Sequence, residues 1–432
     1  MILLGLRGQA KSRLIRMLPD LLDEFVPIIR GSEVNDNPFS PISKYGRRMV
    51  VERGDETPVA WIHRSERYGE KLATPDTSIA DLLGDIDPIK AAHNRLTYSD
   101  EGVIHFGIIP RTNRGIFAVN ELPDLQARIQ VGLLNIMEER DIQIRGFNIR
   151  FPLDLMMVFS ANPEDYTNRG SIITPLKDRI DSQIITHYPR TIETGIEITD
   201  QEAWQRRKGA PKVTVPYFFR EIIECIAFEA RESEFVDQKS GVSARVTRAA
   251  LEALISASER RAILNDERST VARISDLTFV EAAVTGKVEL VYEGEREGAQ
   301  NVARMLTGKA IKNIYTQYFP DPSDKKSGRD AYQRILQWFA GGNTVSVRTD
   351  LPFRQYASVL ERVDGLRALV RKHASTSVRA ETASMMEFVL EALHQYSLVG
   401  KETVWDDGAT YSDMIGAVLS SLGEDENEGP FD

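Results

Sequence analysis

The chain opens on Met1-Ile2-Leu3-Leu4 and runs at once into Gly5-Leu6-Arg7-Gly8-Gln9-Ala10-Lys11-Ser12. Apolar residues then recur at helical spacing (Leu14, Ile15, Met17, Leu18, Leu21, Leu22). This predicts a strand, a glycine-bearing loop and a helix in that order. The apolar start reads as the end of a buried strand, which places it in the parallel sheet of an α/β fold. In such a unit the loop amides point inward at phosphate oxygens, and the helix adds its positive end. Gly5, Gly8, Gln9, Ala10, Lys11 and Ser12 are therefore the candidate phosphate-cradling residues. Lys11 would reach the β- and γ-phosphates, and the Ser12 hydroxyl would ligate Mg²⁺. Ala10 stands where the pattern G-x-x-x-x-G-K-[ST] has glycine, and it is expected to fit only with a negative φ. On the octet alone, a plain strand-to-helix turn that contains Lys-Ser stays open.

A phosphate loop needs a second strand that brings acidic residues to the metal and the attacking water. Gly115 to Asn120 run apolar into Asn120-Glu121, and a helical pattern follows to Met137. Glu121 at the strand end could polarise water; a solvated carboxylate at a helix start is the plainer alternative. Asn120 occupies the position of a metal-side Asp and keeps only a neutral oxygen. A third apolar run, Leu153 to Phe159, leads to Asn162, which could bind a γ-phosphate or water or simply make a turn. Arg179 follows in Leu176-Lys177-Asp178-Arg179-Ile180-Asp181. It could stabilise charge on a neighbouring subunit's nucleotide, or pair with Asp178 or Asp181.

With these motifs in place, the sequence resembles AAA+ ATPases, and more narrowly the I subunit of magnesium chelatase and the MoxR-type branch. The residues that carry the resemblance are GLRGQAKS (5–12), LLGDIDPIKA (82–91), GIIPRTNRGIFAVNELPDL (107–125), SANPEDYTNRG (160–170) and LKDRID (176–181). The resemblance covers about residues 1–190 well, 191–285 loosely and the remainder not at all. It implies ATP and Mg²⁺ as cofactors. Lys11 and Ser12 would be the Walker A pair, Glu121 the Walker B glutamate, Asn162 sensor 1 and Arg179 an arginine finger. Arg245 resembles sensor 2, with Arg248 as its competitor, and Arg114 resembles an interface arginine. Asn120 is carried over as a metal-side ligand beside Ser12, with slowed hydrolysis as the expectation. The hairpin pattern between Glu139 and Pro152 matches an insertion that projects toward substrate or partner. The family places tens of residues before this loop, so the chain is expected to be a shortened version of a longer protein.

The resemblance further implies a ring of identical subunits, expected as a hexamer, and a partner with a von Willebrand A-type domain. The expected organisation is an α/β core at 1–190, a helical lid at 191–285, a mainly helical extension at 286–422 and an acidic disordered tail at 423–432. A short strand is expected at Val288 to Tyr292, and helices at Ala299–Phe319, Asp330–Phe339, Arg354–His373 and Ala380–Leu398. The balance of 54 basic against 64 acidic residues, 54 − 64 = −10, argues against a general nucleic-acid binder. Cys225 is the one cysteine, so no disulfide or Cys-based zinc cluster can form within the chain. No apolar run nears the roughly 20 residues of a membrane span, and a cytoplasmic location is expected. The six histidines lack metal-ligand spacing, so only Mg²⁺ arriving with nucleotide is expected. Two readings follow: a partner-remodelling ATPase, or a nucleotide-gated scaffold in which Asn120 has slowed hydrolysis.

Overall fold

The computed structural model describes residues 1–94, 100–143, 150–163, 171–324, 327–374, 376, 378–404 and 408–414. The expected acidic tail at 423–432, the Glu139–Pro152 hairpin tip at 144–149 and residues 164–170 lie outside them. The chain divides into two compact units, Met1–His187 and Tyr188–Asp432.

The first unit is built on five parallel strands: β1 (Ile2–Leu4), β2 (Tyr68–Leu72), β3 (Gly115–Asn120), β4 (Leu155–Ala161) and β5 (Gln183–Ile185). Their order across the sheet is β5-β1-β4-β3-β2. The register pairs Ile2 with Phe159 and Gln183, Phe159 with Val119, and Leu72 with Asn120. All five strands point the same way, so the loops after β1, β3 and β4 open together at the carboxyl edge. Open α/β sheets hold their ligands at this edge.

Both faces of the sheet are covered, which is why β3 reads as a continuous apolar run and is buried at every residue. Alternation sorts its side chains. Phe117 and Val119 join Phe159, Ala161, Ile129 and Leu133, the last two from the helix Ala127–Glu139. Ile116 and Ala118 join Leu3, Val158, Tyr68 and Ile15 of the helix α1 (Lys11–Met17). Asn120 continues this second series and so faces the α1 side at the carboxyl edge.

The polar, turn-rich stretch 30–75 and the residues just before it carry regular structure. Phe25–Ile29 pairs antiparallel with Val59–His63, Lys44–Arg53 is helical, and β2 itself lies inside the stretch.

The second unit is mostly helical. Among the described residues an apolar core runs from Phe218 to Tyr411, so residues on both sides of position 285 share it. Phe218 stacks on Phe388 with ring centroids 4.7 Å apart, and Tyr315 meets Phe388 edge-on at 5.3 Å. Helices at Ala299–Tyr318, Ser327–Ala340 and Arg379–Gln395 match the expected stretches. Three expectations need correction. The helix expected over Arg354–His373 is two, Phe353–Leu360 and Leu366–His373, broken where Gly365 takes φ +82°. The strand expected at Val288 to Tyr292 is a single bridge from Leu290 to Val236, followed by a helix at Tyr292–Glu297. The extension also holds a three-stranded antiparallel sheet, with Gly408–Ser412 between Val345–Arg348 and Gly400–Val404. Among the described residues no helix is long and apolar enough to cross a membrane.

Candidate functional site

The octet folds as a loop from β1 into α1. Gly5 is required by close approach: a Cβ there would lie 1.9 Å from Thr186 Oγ1 and 2.1 Å from Gln9 Oε1. Thr186 Oγ1 donates to Gln9 Oε1 at 2.8 Å, so the Gln9 side chain is committed to the residue that follows β5. Gly8 takes φ +74°, which suits glycine. Lys11 is buried, and its ammonium donates to the carbonyls of Gly5 at 2.5 Å and Leu6 at 3.1 Å. Ser12 follows in the first turn of α1, whose leading N–H groups have no partner within the helix.

Ala10 departs from the negative φ expected of it. It sits at φ 57°, ψ 17°, in the left-handed region, as the residue that caps α1. The cause is the direction change at the loop's end: the Ala10 carbonyl already accepts from Leu14 N at 2.9 Å and starts the helix. A Cβ in this region costs about 1 kcal/mol. Ala10→Gly is therefore expected to raise the melting temperature of the first unit by about 2 °C in a thermal melt. A lower melting temperature would show that the position carries no strain.

The second half of the site stands at the ends of β3 and β4. Glu121 also lies in the left-handed region, at φ 55°, ψ 53°. Its N–H donates to Ser160 Oγ at 3.2 Å. Ser160 Oγ donates to Asn120 Oδ1 at 3.1 Å, and Asn120 Nδ2 donates to Glu70 Oε1 at 2.5 Å. Arg16 of α1 closes the row with a bidentate pair to Glu70, both contacts at 2.8 Å. The hydrogen bonds from Arg16 hold the Glu70 carboxyl below its usual range, against the opposing effect of partial burial. Just beyond β4, Oδ1 of Asn162 is buried and finds no hydrogen-bond partner among the described residues. A buried acceptor without a donor costs about 1–3 kcal/mol, so this position is suited to a ligand or water that brings one.

Lys11, Asn162 and Glu121 thus follow β1, β4 and β3, three adjacent strands. At about 4.8 Å per strand they span about 10 Å of sheet edge. The ammonium, the Ser12 hydroxyl, the helix N-terminus and the Glu121 carboxylate form a donor and acceptor set that fits a phosphate chain with its divalent cation.

Other predicted residues lie elsewhere. Arg179 pairs with Glu138, at 2.8 and 2.5 Å, and also donates to the Pro175 carbonyl at 2.9 Å. This partner is neither of the two aspartates foreseen. Arg114 donates to the Pro27 carbonyl at 2.7 Å within its own chain. Arg245 is exposed at the start of the helix Arg245–Leu264 in the second unit, and Arg248 there pairs with Glu252 at 3.6 Å. Asp141–Gln143 and Arg150–Pro152 pair antiparallel as the arms of the predicted hairpin. Sequence reasoning missed Glu70, Arg16 and Ser160. The only signal for Glu70 was alternation in Tyr68-Gly69-Glu70-Lys71-Leu72, which its turn-rich surroundings obscured.

No protein-family model matches the chain. The magnesium-chelatase subunit ChlI of Anabaena variabilis is 27% identical over 208 residues, 47% of this chain and 56% of that protein. The ChlI subunit of Guillardia theta is 30% identical over 208 residues, 47% of this chain and 54% of that protein. The magnesium-chelatase 38 kDa subunit of Cereibacter sphaeroides is 26% identical over 225 residues, 48% and 60% of the two chains. The matched region spans little more than half the length of these curated relatives. A solved complex of the magnesium-chelatase subunits BchI and BchD superposes loosely, with a TM-score of 0.35 and 19% identity over 68% of this chain and 90% of that one.

Proposed function

We propose that the chain, 26–30% identical over about half its length to magnesium-chelatase subunits, is an AAA+ ATPase that binds ATP–Mg²⁺ at the carboxyl edge of its sheet. The observation that carries this reading is the convergence of Lys11, Asn162 and Glu121 on adjacent strand ends, beside a loop followed by a helix N-terminus. Gly5, Gly8, Gln9 and Ala10 would offer backbone to the phosphates, and Lys11 would neutralise them. The Ser12 hydroxyl would lie on the metal side, whereas the Asn120 oxygen expected beside it accepts from Ser160. When bound, the divalent cation supplies charge neutralisation at the phosphates. Glu121 takes the proton of the attacking water, and Asn162 orients that water.

Arg179 acts on a neighbouring subunit's site, and the subunits assemble as a ring, most simply a hexamer. Its pair with Glu138 is partly exposed, with the side chains 28% and 55% accessible, so leaving it costs only about 0–1 kcal/mol. Arg245, at the start of its helix in the second unit, is the sensor 2 residue of this reading. The hairpin whose arms are Asp141–Gln143 and Arg150–Pro152 engages a partner protein that carries a von Willebrand A-type domain.

Glu121→Gln tests the catalytic assignment. It is expected to retain ATP binding while phosphate release falls at least about a hundredfold. Unchanged release would remove Glu121 from the role of base. The scaffold reading is favoured by the neutral Asn120. It is sustained if wild type binds ATP yet releases no more phosphate than Lys11→Ala.

A further inference from the structure

Side-chain alternation places Ser160, Asn120 and Glu70 in one row on the α1 face of the sheet, from three adjacent strands. Glu70 presents two carboxylate oxygens, and both are fully used. Oε1 accepts from Asn120 and Arg16, and Oε2 accepts from Arg16 and from the Tyr68 hydroxyl at 3.1 Å. Ser160 receives the Glu121 N–H and donates onward to Asn120. The residue at 120 must therefore donate toward β2 and accept from β4 at once. An amide does both; a carboxylate does only the second. The reverse amide orientation would set an oxygen against the Glu70 carboxylate and a second donor against Ser160, so the chemistry of the neighbours fixes the orientation.

We propose that Asn120 is a positioning residue matched to Glu70, forming a bridge that ties the phosphate-binding helix, through Arg16, Glu70 and Ser160, to the backbone of Glu121. This deepens the ATPase reading and rests on it for the role of Glu121. On this view Asn120 is not a weakened metal-side acid, and converting it to aspartate damages the site. In Asn120→Asp two carboxylates face each other, and the contact to Glu70 has no donor. In the double variant Glu70→Gln/Asn120→Asp the donor returns from the other side. The amide introduced at position 70 gives an N–H to the carboxylate introduced at position 120, which still accepts from Ser160; that NH2 can no longer accept from Arg16 Nη2, so the rescue is partial and Arg16 keeps only its contact to the remaining oxygen.

The test is a cycle of wild type, N120D, E70Q and E70Q/N120D, read three ways. Melting temperatures of the nucleotide-free proteins are expected to fall by about 5 °C in N120D and to return toward wild type in the double variant. The Mg²⁺ dependence of binding to a fluorescent ATP analogue is expected not to shift to lower Mg²⁺ in N120D. Phosphate release is expected to fall about tenfold in N120D, with analogue affinity retained, and to recover partly in the double variant. A merely structural pair would restore the melting temperature and leave turnover per bound nucleotide unchanged throughout. The proposal is overturned if N120D keeps its melting temperature, binds Mg²⁺ more tightly or hydrolyses faster than wild type. It is equally overturned if the double variant is no better than N120D. If wild type binds no nucleotide, the ATPase reading fails by itself, and the melting cycle still decides whether the bridge exists.

Discussion

Asp276→Ala is expected to destabilise the second unit by about 3–5 kcal/mol, a large share of the roughly 5–15 kcal/mol by which folded domains are stable. Asp276 and Arg261 are each 2% accessible and form an ion pair within the core. Asp276 Oδ2 also accepts from the Ser258 hydroxyl and from Arg273 N–H, both at 2.8 Å. Truncation would strand a buried guanidinium, a hydroxyl and a backbone donor together. The neighbourhood offers little relief. Arg261 retains the Val271 carbonyl at 2.9 Å, but Arg273 is a second buried cation beside it, stacked 3.9 Å from the Tyr356 ring. Urea unfolding should show the loss as an earlier transition for the second unit. Removing the cation as well, in Asp276→Ala/Arg261→Met, is expected to recover much of it, because a buried ion pair is harmed more by losing one partner than both. A cost under about 1 kcal/mol for Asp276→Ala would mean that the pair is not desolvated.

Lys11→Ala is expected to weaken ATP binding by about a hundredfold. A charge-assisted contact to phosphate contributes about 1.5–3 kcal/mol, and the upper end corresponds to this factor. The lysine is preset for that role. It is buried, and its ammonium is held by the carbonyls of Gly5 and Leu6, which belong to the loop itself. Equilibrium titration with a fluorescent ATP analogue measures the change. A loss under about threefold would separate Lys11 from the phosphates.

The parts of this molecule legible in its sequence are those governed by local rules. β3 and β4 are covered on both faces, so they appear as unbroken apolar runs with their polar residues at the ends. The loop shows itself by Gly5, Gly8 and Lys11, whose roles are set within seven residues. The parts that were hidden depend on distant partners. Glu70 lies on the edge strand β2, partly exposed and next to Lys71, and its meaning comes from Asn120, 50 positions away, and Arg16, 54 positions away. The partner of Arg179 lies 41 positions away. The break at Gly365 escaped notice because Tyr356, Leu360, Leu366 and Val370 all bury against one core, which preserves apolar periodicity across the turn. The antiparallel sheet of the second unit escaped for a related reason: Val345–Arg348 is four residues long, and its pairing partner begins at Gly408. Ala10 shows the opposite failure. A sound local rule gave a negative φ, and the loop's closure onto α1 overrode it.

Amide hydrogen exchange along residues 5–13, with and without ATP–Mg²⁺, tests the central claim most directly. If the loop and the first turn of α1 cradle the phosphates, the N–H groups from Gly8 to Arg13 become acceptor-bound and their exchange slows on addition of nucleotide, while Lys11→Ala shows little slowing. Unchanged exchange across this segment in wild type, at ATP concentrations that saturate any binding elsewhere on the chain, would contradict the account.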